Sequence, residues 1–122
     1  MKGHKMHLEI QDLSQFTGTQ YWYKNSLFPG YTYTDGVKYV ATQANAYWLM
    51  DAILSHQLIP KVKRELFQQW TLTLTENSAA VLVCDDGNDN VVMQIHIAFT
   101  DFPLSEIKMY LTNKVLLLPS EY

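Results

Sequence analysis

The sequence predicts an α+β fold, with N-terminal helices packed on one face of a C-terminal antiparallel β-meander of four to five strands. Three observations carry this reading. Apolar residues recur at helical spacing before Pro60. After Leu66 the period changes to two, as in half-buried strands. The connections beyond Leu66 are too short to hold the crossover helices that a parallel sheet needs. A chain of 122 residues is expected to form one domain, helical and aromatic-rich over 7–60 and sheet-forming over 66–118.

The elements follow in order. Met6, Ile10 and Leu13 fall at i, i+4, i+7 and predict a short helix from about His7 to Gln15, which the chain leaves at Gly18. Pro29-Gly30 is a turn signal, and "YTYT" (31–34) suits a short extended piece. Asp35 has the side chain of an N-cap, so a helix is expected from Gly36 to about Gln43. A second helix covers about Ala46 to Gln57, with Leu49, Ala52, Ile53 and His56 on one side; the pair also reads as one helix bent near Asn45. "WTLTLT" (70–75), "SAAVLVC" (78–84) and "VVMQIHIAF" (91–99) read as strands, and "DDGNDN" (85–90) as the hairpin loop between the last two. "IKMYL" (107–111) and "VLLL" (115–118) supply one or two more.

Composition narrows the function. Apolar residues make up 48% and charged residues 17%, rich enough in the first and poor enough in the second to predict exposed apolar surface and self-association. A net charge of −3 opposes nucleic-acid binding, which needs a basic surface. The one basic cluster, "KVKR" (61–64), reads as a solvated helix end. One cysteine, Cys84, rules out an internal disulfide framework and fits a reducing cytoplasm. No apolar run approaches a membrane span, and the N-terminal residues lack an apolar signal core. A cytoplasmic protein without membrane or nucleic-acid partners is expected.

Strand parity places Cys84 with Ala80 and Leu82, as a packing residue. His4 and His7 have a metal-compatible spacing but no third ligand nearby, so no metal and no cofactor is expected. "DDGNDN" is rich in oxygen donors but fails the calcium-loop pattern, with its glycine third and His96 at position twelve. His56 and Asp51 lie about 140° apart around a helix and do not share a face. Gln94 and His96 fall on the strand face opposite Ile95 and Ile97, beside Thr71 and Thr73 if the strands pair accordingly.

The stretch "FTGTQYWYKNSLFPGYTYTDG" (16–36) holds seven of the sixteen aromatic residues. Tyrosine and tryptophan give large contact area at low entropic cost. Tyr21, Trp22, Tyr23, Tyr31 and Tyr33 are therefore the candidate contact residues, with Trp48 and His56 beside them. Phe16 and Phe28, lacking a polar group, are the better core candidates.

Several phrases together resemble a family of small uncharacterised bacterial proteins classed as a domain of unknown function: "FTGTQYWY", "YTDGVKYVA", "AYWLMDAILSHQ", "TDFPLSEIKMYL" and "VLLLPSEY". The resemblance runs from about Phe16 to Tyr122. It implies a bacterial, cytoplasmic, single-domain protein and brings no catalytic residue or cofactor. The expected function is a non-enzymatic protein-binding or assembly module, homo-oligomeric or with a protein partner. The alternative is a small-molecule-binding protein or a small hydrolase-like enzyme using His56 with Asp35 or Asp51 beside the aromatic segment.

Overall fold

The computed structural model describes residues 8–18 and 21–122. The expected start of the first helix and the His4/His7 pair lie outside the described residues. The helices are α1 (Ile10–Leu13), α2 (Asp35–Gln43), α3 (Tyr47–Ser55) and α4 (Pro60–Lys63). The strands are β1 (Trp22–Lys24), β2 (Thr32–Thr34), β3 (Phe67–Leu74), β4 (Ala80–Asp85), β5 (Val91–Ile97), β6 (Glu106–Thr112) and β7 (Val115–Leu117). They form one seven-stranded sheet in the order β1-β2-β7-β6-β3-β4-β5.

The α+β class is as expected, and three details of the architecture are corrected. The helices do not all precede the strands, because β1 and β2 come before α2. The sheet has seven strands rather than four to five. It is mixed and not a simple meander: β2 pairs parallel with β7, and β6 sits between β7 and β3 instead of beside β5. The physical reason for the last is burial. Ile107, Met109 and Leu111 of β6 are fully buried, which a central position beside Trp70 and Leu72 provides and an edge does not. The three-residue strands β1, β2 and β7 are too short to show any period.

Cross-strand register defines two faces. Trp70 lies level with Cys84, Met93 and Met109, and Leu72 with Leu82, Ile95 and Ile107. Val37, Val40, Ala41, Leu49, Met50, Ile53, Leu54 and Val62 of α2–α4 join this row in one buried cluster. Burial of this apolar surface is the main stabilising term. The opposite face carries Thr71, Val83, Gln94 and Lys108 in one row and Thr73, Val81, His96 and Glu106 in the next. Gln94 and His96 are exposed there.

Two buried polar networks hold the helices on. Gln57 and Gln68 exchange amide hydrogen bonds of 2.8 and 2.9 Å. Trp70 Nε1 also donates to Gln68 Oε1 at 2.9 Å, and Gln68 Nε2 donates to the Val62 carbonyl at 2.9 Å. This fastens the α3–α4 corner to β3. The second network centres on Glu121. Its Oε1 accepts from Thr34 Oγ1 at 2.6 Å and from the Leu118 N–H at 2.9 Å, and its Oε2 accepts from the Gly36 N–H at 3.0 Å. Thr34, not Asp35, is the N-cap of α2, its hydroxyl accepting from the Val37 N–H. Both residues can cap; Thr34 takes the role because Glu121 orients its hydroxyl, which leaves the Asp35 side chain free for other work.

Gly36 is required for space. A Cβ there would lie 2.6 Å from Glu121 Oε1 and 2.7 Å from Leu118 Cδ1. Replacing a helical glycine by alanine ordinarily stabilises by up to about 1 kcal/mol. At Gly36→Ala the sign reverses, and urea unfolding is expected to show a loss. Glu121→Ala strands three buried donors and is expected to lose about 2–4 kcal/mol. Glu121→Gln keeps one acceptor but turns its amide N–H groups toward donors, and should fall between. A Gly36→Ala chain as stable as the wild type would overturn this account.

Candidate functional site

The aromatic segment divides into three environments. Tyr21 and Trp22 stand at the β1 edge of the sheet, 61% and 57% exposed. Tyr23 of β1 faces Tyr33 of β2 across the antiparallel pair, with ring centroids 5.6 Å apart. Tyr31 stands apart, its ring forming part of two depressions. One, of about 440 Å³, lies over the β1–β2 loop and includes Lys24, Asn25, Pro29 and Gly30. The other, of about 290 Å³, includes Gln57, Gln68 and Lys114.

The β1–β2 loop is built by Asn25. Its Oδ1 accepts from the Leu27 and Phe28 N–H groups at 2.9 and 3.0 Å, and its Nδ2 donates to Met50 Sδ at 3.3 Å. Gly30 completes the turn with φ of +119°, a backbone region open to glycine. Phe16 and Phe28 pack against the core as expected.

The chemistry gathers around Tyr23. Its hydroxyl donates to Asp35 Oδ1 at 2.8 Å. Lys38 Nζ lies 4.3 Å from the centroid of its ring, a cation–π geometry. Tyr39 stacks on Phe16 with centroids 5.1 Å apart. These five residues line a shallow depression of about 260 Å³. The bond to Asp35, then burial, then the Asp35 charge hold the Tyr23 hydroxyl above the ordinary tyrosine range. A tyrosine that keeps its proton this firmly is a hydrogen-bond donor at neutral pH and not a base.

Trp48 and His56 are positioned by α3 and do not border this depression. Trp48 is half-buried against the core. His56 is the C-cap of α3; its Nδ1 donates to the Ala52 carbonyl at 2.7 Å, and its ring lies 6.1 Å from Trp70. Among the described residues no hydrogen bond joins His56 to Asp35 or Asp51. Lys38 and Tyr39 were missed by sequence reasoning, and Phe16, expected in the core, borders the depression as well. A signal existed: Asp35, Lys38, Tyr39 and Thr42 fall at i, i+3, i+4, i+7, one face of a helix.

Asp86 and Cys84 are engaged locally. In the 85–90 loop, Asp86 accepts from the Asn90 side chain at 2.9 Å and the Asn88 N–H at 2.8 Å. These bonds hold its carboxyl below the usual range. Among the described residues no group of three or more His, Cys, Asp or Glu side chains is placed to hold a metal ion. Cys84 is fully buried, and burial, with Asp85 next in effect, pushes its thiol up to about 12.

Two outcomes follow for these side chains. Ultraviolet titration should show Tyr23 and Tyr33 ionising above the usual range, and Asp35→Asn should bring the Tyr23 component down by removing both the acceptor charge and its repulsion of tyrosinate. An unmoved titration curve would count against the Tyr23–Asp35 bond. Cys84 should resist a thiol reagent in the native chain at about pH 8, where its thiolate fraction is on the order of 10⁻⁴, and react fully once urea unfolds the protein.

No helix among the described residues is long and apolar enough to cross a membrane. No curated protein matches the chain, and no solved structure does. Residues 7–122 match DUF6876, described as a family of unknown function. With nearly the whole chain matched, this protein belongs to the DUF6876 family.

Proposed function

We propose that this protein is a non-enzymatic protein-binding or assembly module that presents the aromatic end of its sheet to a protein partner. The observation that carries this reading is the pair Tyr21 and Trp22, more than half exposed at the β1 edge. Leu27, 67% exposed, projects from the loop that follows. Large aromatic side chains left in water are the usual anchors of protein interfaces. The other face of the same edge carries polar contacts: the Asp35 carboxylate, the Tyr23 ring and the Lys38 ammonium. That combination of aromatic centre and charged rim is how interfaces gain affinity and orientation.

The reading is tested with immobilised wild-type chain and a Tyr21→Ala/Trp22→Ala variant in extract of the native host. A protein held in stoichiometric amount by the wild type should be recovered at least about tenfold less by the variant, since anchor truncations cost 2 kcal/mol or more. Far-UV circular dichroism should be unchanged, as both side chains are exposed. Equal recovery on both would remove the aromatic edge from the interface.

A further inference from the structure

The two edges of the sheet are built differently. The β1 edge is three residues long and ends in Lys24. Short length and an edge lysine are common ways of preventing unwanted strand pairing. The β5 edge is seven residues long, "VVMQIHI", with no proline and no Lys, Arg, Asp or Glu. It is hydrogen-bonded to β4 on one side only. Among the described residues its outer backbone groups face no other strand. A bulge opposite Cys84 and Asp85 interrupts its first residues, so the regular ladder runs from Met93 to Ile97.

That ladder is only half covered. Met93, Ile95 and Ile97 lie on the helix-bearing face, yet each stays partly exposed, unlike the buried residues of β3, β4 and β6 level with them. At either end stand Val91, 61% exposed, and Phe99, 71% exposed. We propose that β5 pairs antiparallel with β5 of a second copy of this chain, about a two-fold axis through Ile95. This rests on the assembly half of the proposed function but uses the opposite end of the sheet from Tyr21 and Trp22.

The register follows from the side chains. With the axis at Ile95, Ile95 meets Ile95 of the second copy. Met93 meets Ile97 of the second copy, and Gln94 meets His96 of the second copy. Every helix-side pair is apolar, every open-face pair is polar, and no like charges oppose each other. A two-fold interface needs a patch complementary to itself, and the ladder from Met93 to Ile97 meets that condition. Pairing joins two seven-stranded sheets into one and removes the open edge from both.

The test uses the full chain in sedimentation equilibrium from about 5 to 200 μM, where a reversible dimer shows mass-action dissociation. The wild type should approach twice the monomer mass of 14.1 kDa. Gln94→Glu/His96→Glu places two like-charged pairs across the axis and should raise Kd roughly tenfold or more. Gln94→Lys/His96→Glu places opposite charges there and should restore dimerisation. All four side-chain positions are exposed on the open face, so the monomer fold is not engaged. Amide hydrogen exchange of the wild type gives an independent reading: the Met93–Ile97 amides should gain protection as concentration rises. A monomer at the highest concentration overturns the pairing, and so does a dimer whose Kd ignores both charge variants. Neither result touches the Tyr21/Trp22 reading, which the extract experiment decides by itself.

Discussion

Much of this structure hangs on a single carboxylate. Glu121 accepts from the Thr34 hydroxyl, the Gly36 amide and the Leu118 amide, and it is buried. A buried charge is tolerated only when its hydrogen bonds are satisfied. Here the donors come from the start of α2 and from the turn that holds Glu121 itself, so the requirement ties two ends of the chain together. The negative charge also sits where the free N–H groups of α2 favour it. The parallel pairing of β2 with β7 lies beside this contact. The strand pairing itself joins β2 to β7 at only two positions, Thr32 to Val115 and Tyr33 to Leu116. The phrases "YTDG" and "VLLLPSEY", separate in the sequence, are the two halves of one structural device.

The long periodic segments were legible because their side chains repeat. "WTLTLT" puts Trp70, Leu72 and Leu74 on the helix side and Thr71 and Thr73 on the other, and the register bears this out. Cys84 proved to be the packing residue that strand parity predicts. What was not legible depends on distant partners. Nothing local marks Gln68 for burial, and its bonds to Gln57 and Trp70 are what make that burial affordable. Gly36 reads as a flexible helix start, whereas Glu121 and Leu118 exclude a side chain there. Ile10 belongs to an apparent helical stripe but is 69% exposed, because α1 is a single turn set beside the C-terminal segment, where Ser120 Oγ donates to the Leu13 carbonyl.

The candidate site shows the same division. Composition pointed to the aromatic segment as a unit. Folding distributes it among an exposed edge, a packed tyrosine pair and the loop wall at Tyr31, because successive residues of an extended chain point to opposite faces. Tyr23 and Trp22 are neighbours in sequence yet face away from each other across the sheet. Asp35, released from capping by Thr34, becomes the partner of Tyr23. One residue's shift in the start of a helix thus changes an aspartate from a structural cap into the acceptor for the Tyr23 hydroxyl.

The joining of β2 to β7 also sets an order of events during synthesis. Strand β3 can pair with β4, and β4 with β5, as soon as those residues have left the ribosome. The first two strands can pair with each other early, but their link to the rest of the sheet waits for β7 and Glu121, which follow β3 to β6 in the chain. Contacts so distant in sequence close slowly, and a nascent chain exposes its unpaired strands meanwhile. The aromatic end of the sheet is therefore translated before β3, β4 and β5 and locked onto them only after they have paired.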